Sequence, residues 1–235
     1  MGEEAYLRKL DEIVGRYVEA SQWPKYAEEA LTIEGARVYV QQHGIFTRAS
    51  RQHWAFVVGN CPIGEVRWFI EKENLYEEEA IPEQSHFQWI LKMGRALGMS
   101  DAEVINATPL VTTRVSLHVW ENLTKNRPWW IGLAAKAVLE RVNAPHCGAI
   151  SARMAESWKR HLGLPEDALT FWTRHHVLDQ VHAGGAYDFL VRYVSAPEQW
   201  DDITRAAEES MLAFQIFWDG IVAAVRDREG VPMSS

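Results

Sequence analysis

The sequence is poor in cysteine and in long apolar runs. Cys61 and Cys147 are the only cysteines among 235 residues, which excludes a disulfide framework and zinc-finger spacing and suits a reducing cytoplasm. The longest apolar stretch, near 129–139, is interrupted by Lys136 and is too short to span a bilayer. We therefore expect no membrane partner.

Positive charge is also scarce. The chain has 24 Lys and Arg against 32 Asp and Glu, a net charge of −8, and no long basic block, so nucleic acid is not an expected partner. Residues 1–13 are charged and lack the apolar segment of a signal peptide. There is no glycine-rich nucleotide motif. These features predict a cytoplasmic protein.

What is present is helical patterning. Apolar residues recur every three or four positions through most of the chain, and no long alternating stretch indicates a strand. We predict separate helices over 35–49 and 52–60, a long helix over 63–79, and a capping box formed by Ser100 and Glu103. No linker or repeat divides the chain. The prediction is one all-α domain over 1–235, a bundle of eight to ten helices.

The most informative stretch is FWTRHHVLDQVH, residues 171–182, which contains His175, Asp179 and His182. On a helix these three residues lie at about 0°, 40° and −20°, so their side chains leave one narrow stripe. Two imidazoles and one carboxylate on one side suit a transition metal. A solvated polar helix face is the alternative, and the apolar residues around the triplet argue against it.

Glu79 and His86 form a second candidate pair. They are seven residues apart, which is about 20° from alignment on a continuous helix. Pro82 lies between them and can bend the helix without turning His86 away. Glu77 and Glu78 belong to the same acidic run and are interpreted as solvated charges.

Glu140 is the third candidate. It follows a run of apolar and small residues in a helix predicted over 130–142. A carboxylate on such a helix is seldom buried without a partner. The alternative is a surface glutamate paired with Lys136 or Arg141, and this segment alone leaves both interpretations open.

Other candidates are weaker. His43 and His53 lie on pieces predicted as separate helices, and His118 fits a core or pocket histidine. Cys147 beside His146 would be a nucleophile only with a defined base and orienting group.

Together, these residues resemble a known family. ENLYEEE (73–79) followed by His86, a mid-chain Glu140, and His-x3-Asp-x2-His (175–182) resemble the haem-oxygenase-like diiron oxidases and oxygenases. Relatives include the death-domain-associated 4-aminobenzoate synthases, alkene-forming fatty-acid decarboxylases, and pyrroloquinoline-quinone synthase-like and thiaminase-like proteins. The resemblance spans roughly 34–224 and implies the compact all-α haem-oxygenase-like fold, without haem.

The resemblance implies that six residues bind two Fe(II) ions: Glu79, His86, Glu140, His175, Asp179 and His182. Glu140 would bridge the irons. The implied chemistry uses O2 to oxidise a small amino acid or carboxylic acid, by N-oxygenation, desaturation or C–C cleavage, in a natural-product pathway. The resemblance is also compatible with an external electron donor as a partner and with a homodimeric protein.

The sequence departs from parts of that family. Tyr26 lies near the tyrosine that the 4-aminobenzoate synthases cleave from themselves, but its surroundings differ and no lysine counterpart follows Glu140, so self-sacrifice is not expected. The spacing of Glu79 and His86 is longer than in the alkene-forming decarboxylases, which disfavours a fatty acid. The thiaminase-like relatives lack the His-Asp-His set, which disfavours thiamin chemistry.

Two other functions stay open. A cofactor-free oxidase or a hydrolase would use the histidines for acid–base work and would be active in chelator. In a non-catalytic helical binding module, His175→Ala and Glu140→Ala would change stability only. A carboxylate substrate would need a cationic clamp, for which the sequence offers Arg37, Arg48, Arg67, Arg114, Arg141 and Arg174.

Overall fold

The computed structural model of the protein describes residues 3–76 and 85–230, except for the side chains of 176–183. In these ranges the chain forms eleven α-helices and no strand. They are α1 (Glu3–Ala20), α2 (Gln22–Ala30), α3 (Ile33–Asn60), α4 (Gly64–Ile70), α5 (His86–Ala96), α6 (Asp101–Ile105), α7 (Val111–Lys125), α8 (Trp129–Arg141), α9 (Ile150–Leu162), α10 (Thr170–Tyr193) and α11 (Pro197–Glu229). The all-α prediction is confirmed, and the helices slightly outnumber the eight to ten expected.

Helix α3 is longer than the sequence suggested. Thr32 caps it, accepting a hydrogen bond of 3.0 Å from the Gly35 amide, and it then runs for 28 residues. The prediction of separate helices over 35–49 and 52–60 was wrong, because no proline interrupts Ser50 and Arg51 and the helix continues through them. The predicted capping box of Ser100 and Glu103 is confirmed.

Helix α4 changes its geometry before it reaches the acidic run. It continues into a π-helical turn, Glu71–Leu75, so the predicted long helix over 63–79 is irregular where it is described. A π turn inserts an extra residue into an α-helix and is frequent at functional sites. Glu77, Glu78, Glu79 and Pro82 lie outside the described residues.

Two helices form the centre of the fold. Helix α11 packs against α1, α7 and α8, and α8 in turn packs against α10. Helix α8 is buried on nearly every side, as its mostly apolar sequence requires. Within the described part of the chain, none of the helices combines the length and the apolar composition needed to cross a bilayer.

Candidate metal centre and cavity

A cavity of about 110 Å³ lies among α3, α8, α10 and α11. One water molecule needs roughly 10–15 Å³ on the same measure, so the cavity admits a small organic molecule. Aromatic side chains from α3, α10 and α11 form much of its wall. The charged or hydrogen-bonding groups on the wall include His43, Asn74, His86, Lys136, Glu140 and His175.

His86 and His175 reach the cavity from different helices and contact one another. His86 is the first residue of α5, immediately after Ser85, whose side chain caps the helix. His175 lies in the second turn of α10. Their ring centroids are 4.4 Å apart, so two segments separated by almost ninety positions in sequence deliver imidazoles to one point.

The tautomer of His175 follows from its backbone contact. Its Nδ1 lies 2.7 Å from the carbonyl oxygen of Phe171, and a carbonyl can only accept a hydrogen bond. Nδ1 therefore carries a hydrogen, which leaves Nε2 as the nitrogen that would bind a metal. Metal-binding histidines commonly make this contact, because it fixes both the tautomer and the ring orientation.

Glu140 supplies a carboxylate to the same cavity from the last turn of α8. The Asn74 side chain, delivered by the π turn, donates a hydrogen bond of 3.0 Å to Glu140 Oε1. Asn74 is only 6% exposed, so this contact is shielded from water. The alternative interpretation of Glu140 as the surface partner of Arg141 is wrong, since Arg141 pairs with Asp11 instead.

Three of the six predicted ligands are thus in one place: His86, Glu140 and His175. Two imidazoles and a carboxylate are a donor set that fits iron. Helix α10 continues without interruption past Asp179 and His182, which confirms the predicted helical register. The side chains of those two residues, and Glu79, lie outside the described residues, so their ligand roles stay a prediction.

The face of α3 is a part of the site that was not predicted from the sequence. Tyr39, His43, Ser50 and Trp54 line the cavity at spacings of four, seven and four, which is one face of a continuous helix. Burial, with added repulsion from His86, lowers the pKa of His43 to about 3, so this imidazole is neutral. Splitting α3 into two helices hid the pattern.

The predicted arginine clamp is not found at the cavity. None of the six candidate arginines is among its described lining residues. Arg37, Arg48 and Arg67 donate to backbone carbonyls, and Arg114 and Arg174 are exposed. Lys136 lines the cavity instead and is 3% exposed, so the alternative of a surface pair between Glu140 and Lys136 is wrong.

A second polar cluster joins the start of the chain to the region after α8. Asp11 accepts hydrogen bonds of 2.8 Å from Arg141 and 2.7 Å from His146. Burial raises the pKa of Asp11, but these hydrogen bonds outweigh burial and lower the pKa overall. The neighbouring Cys147 is buried, and burial together with repulsion from Asp11 raises its pKa to about 12. Cys147 is therefore a protonated thiol and no nucleophile.

Tyr26 does not reach the cavity. Its hydroxyl is 3.0 Å from Thr32 Oγ1, and its ring end packs over Gly35, where a Cβ atom would come within 2.2 Å of the hydroxyl. Tyr39 is the tyrosine found among the described lining residues.

Comparisons with known proteins identify a family of redox enzymes. A family model described as iron-containing redox enzyme matches residues 37–215. A 4-aminobenzoate synthase of Nitrosomonas europaea is 25% identical to this chain, over 94% of the chain and 92% of the synthase.

Solved structures show the same fold. A domain of unknown function with a haem-oxygenase-like fold from Shewanella denitrificans has a TM-score of 0.81 at 14% identity and covers 99% of this chain and 97% of its own. A CADD-like protein from Nostoc punctiforme has a TM-score of 0.74 at 18% identity, and the match covers 95% of this chain and 98% of the Nostoc chain. A TenA homologue from Pseudomonas syringae has a TM-score of 0.68 at 12% identity, and the match covers 94% of this chain and 92% of the Pseudomonas chain.

Proposed function

The chain belongs to the family of iron-containing redox enzymes with a haem-oxygenase-like fold, and from this premise we propose a non-haem diiron oxidase or oxygenase. It uses O2 to oxidise a small carboxylic or amino acid by N-oxygenation, desaturation or C–C cleavage. An external reductant would return the iron to Fe(II) wherever the substrate does not supply all the electrons.

One observation carries the proposal. His86, Glu140 and His175 come from three helices and line one cavity, and the Phe171 carbonyl sets His175 with Nε2 as its metal-binding atom. A solvated helix face would not bring donors from three helices together. The full ligand set in the proposal is Glu79, His86, Glu140, His175, Asp179 and His182.

The chain's own residues position and protect the site. Asn74 holds one oxygen of Glu140, which orients the carboxylate before any ion arrives. The Phe171 ring packs at a tilt against His175, with ring centroids 4.2 Å apart, and Trp89 lies nearly perpendicular to the same ring at 6.2 Å. These rings limit the contact of His175 with water, and a less polar environment strengthens electrostatic interactions inside the cavity. Iron bound there would supply electrons to O2 and so activate it toward a substrate.

The test begins with anaerobic reconstitution. We expect close to two irons per chain and a transient visible absorbance when the iron-loaded protein is mixed with O2 in a stopped-flow instrument. His175→Ala and Glu140→Ala should lose iron, whereas the control His118→Ala, whose side chain is 81% exposed, should keep it. Less than one iron per chain with no transient would sink the proposal, as would full activity in chelator.

Formation of 4-aminobenzoate is a second candidate, favoured by the similarity to the Nitrosomonas europaea synthase over 94% of the chain. Expression in a strain that requires 4-aminobenzoate tests it directly. Growth without the supplement supports this candidate. No growth, with iron-loaded protein present in the cells, excludes it and leaves the broader proposal standing.

A further inference from the structure

We propose that Lys136, together with Ser50, binds the carboxylate of an apolar or aromatic acid substrate. The inference rests on the proposed function, because it places the substrate beside the same metal centre. Among the described residues lining the cavity, Lys136 is the one lysine or arginine. At 3% exposure it is a buried ammonium group that a ligand in the cavity would meet directly.

The surroundings of Lys136 hold its ammonium group in place. Nζ donates a hydrogen bond of 2.6 Å to Ser50 Oγ. It also lies 5.1 Å from the ring centroid of Trp54 and 5.7 Å from that of Phe46, within the range of cation–π attraction. Because Ser50 accepts from Lys136, its own hydroxyl hydrogen can donate to a further acceptor. Lys136 and Ser50 thus present two donors to one carboxylate.

The spacing along α8 places the anchored carboxylate and Glu140 on the same side of the helix. Lys136 and Glu140 are four residues apart, so they share one face of the helix, and both line the same small cavity as His86 and His175. An acid anchored at Lys136 would therefore lie beside the proposed metal ligands within that cavity.

The aromatic part of the wall indicates which kind of group the substrate carries next to its carboxylate. Phe171, Trp172, Phe214 and Trp218 line the cavity and offer mostly apolar surface. An ionic substituent would lose its hydration against these rings. A planar aromatic or compact aliphatic group fits them better, and this gives the substrate class.

Lys136 has a competing explanation as an internal counterion for Glu140, since oppositely charged residues four apart on a helix attract. In that case its removal would alter iron retention but would not change how the cavity distinguishes an acid from its amide. The experiment therefore compares phenylacetate with phenylacetamide, which have similar shapes and differ in charge.

Isothermal titration of both probes is carried out anaerobically on the full chain, first iron-loaded and then in chelator. We expect phenylacetate to bind at least tenfold more tightly than phenylacetamide in both states. Lys136→Met should abolish the preference, and Lys136→Arg should restore part of it. The matched control is Lys125→Met, because Lys125 also lies 5.1 Å from an aromatic centroid but is half exposed; it should keep the full preference.

Ser50→Ala leaves the ammonium in place and should weaken phenylacetate binding severalfold, which preserves the test if Lys136→Met does not fold. No preference in the wild-type protein, or a preference that survives both Lys136→Met and Ser50→Ala, overturns the inference. A preference seen only with iron and unchanged in Lys136→Met means that iron itself binds the acid, and also overturns it. If the wild-type protein binds no iron but prefers phenylacetate, and Lys136→Met loses that preference, the diiron proposal is refuted and this subsite stands.

Discussion

The side chain of Asn74 donates a hydrogen bond of 3.0 Å to Glu140, and the two residues are 66 positions apart in sequence. The π turn supplies the donor and the buried helix α8 supplies the acceptor. This contact links the irregular end of α4 to the buried helix that carries Glu140.

Replacing Asn74 with alanine should weaken iron binding, because Glu140 would lose the group that orients it. Losses of about 10–100-fold in metal affinity are typical when such outer contacts are removed. Titration with Fe(II) under anaerobic conditions measures the change. Asn126→Ala is the control, since Asn126 is exposed, follows the last residue of α7 and bonds Asn122 one turn earlier. Equal affinities in the two variants would contradict the orienting role.

Cys147 should resist alkylation in the folded protein. With a pKa of about 12, only about one thiol in ten thousand is ionised at pH 8, and the thiolate is the reactive form. Iodoacetamide labelling followed by mass spectrometry should find Cys147 modified in urea but not in buffer. Cys147→Ala should keep its iron and its reaction with O2. Rapid labelling of the folded chain would show that the thiol is activated after all.

Acid should destabilise the protein partly through His53. Burial, with added repulsion from Lys136, lowers its pKa to about 3, whereas the unfolded chain has a pKa near 6.5. Between these values the unfolded state binds more protons, so the stabilising contribution is complete above pH 6.5 and is lost as pH falls toward 3. For one histidine, the free energy of unfolding changes by at most about 1.4 kcal/mol per pH unit.

Urea unfolding of wild type and His53→Gln at pH 7, 6 and 5 measures this slope. The variant should show a shallower fall in the free energy of unfolding, whatever its stability at pH 7. Parallel curves for the two proteins would show that His53 takes up no proton on unfolding.

The adjacent glycines of α10 should respond in opposite directions to alanine. A Cβ atom at Gly184 would meet none of the described atoms within 4 Å, whereas one at Gly185 would lie 2.5 Å from Cε2 of Phe69. Gly184→Ala should raise the free energy of unfolding by up to about 1 kcal/mol, because alanine has the higher helix propensity. Gly185→Ala has the same advantage in helix propensity, but overpacking against Phe69 should lower the free energy of unfolding by about 1–3 kcal/mol.

Thermal unfolding of the two variants compares positions that differ by one residue in the same helix. Gly184→Ala should have the higher melting temperature. If Gly185→Ala matched it, Phe69 would be able to move aside without cost.

Local spacing predicted much of the fold and part of the site. The helical register of 171–182 is correct because periodicity is a local property, and His175 does face the cavity. The role of Lys136 was not predictable in the same way. Its position on α8 identifies a helix face, but only packing against Ser50 and Trp54 of α3 shows that this face is enclosed.

The error in α3 has a related cause. Ser50 and Arg51 are polar and resemble a break between two short helices, yet the helix continues through them because its other faces are packed. In a continuous α3, one face of the helix carries Tyr39, His43, Ser50 and Trp54. Long-range burial, which the sequence does not display, decides such cases.

The π turn Glu71–Leu75 also has a consequence for comparing relatives. Such a turn is in effect one residue inserted into an α-helix. Deleting that residue can restore a regular helix with both flanks in phase, while removing the widened turn that presents Asn74 to Glu140. Relatives with and without this contact would then differ by a one-residue gap, so a survey that counts only substitutions at position 74 would overlook the change.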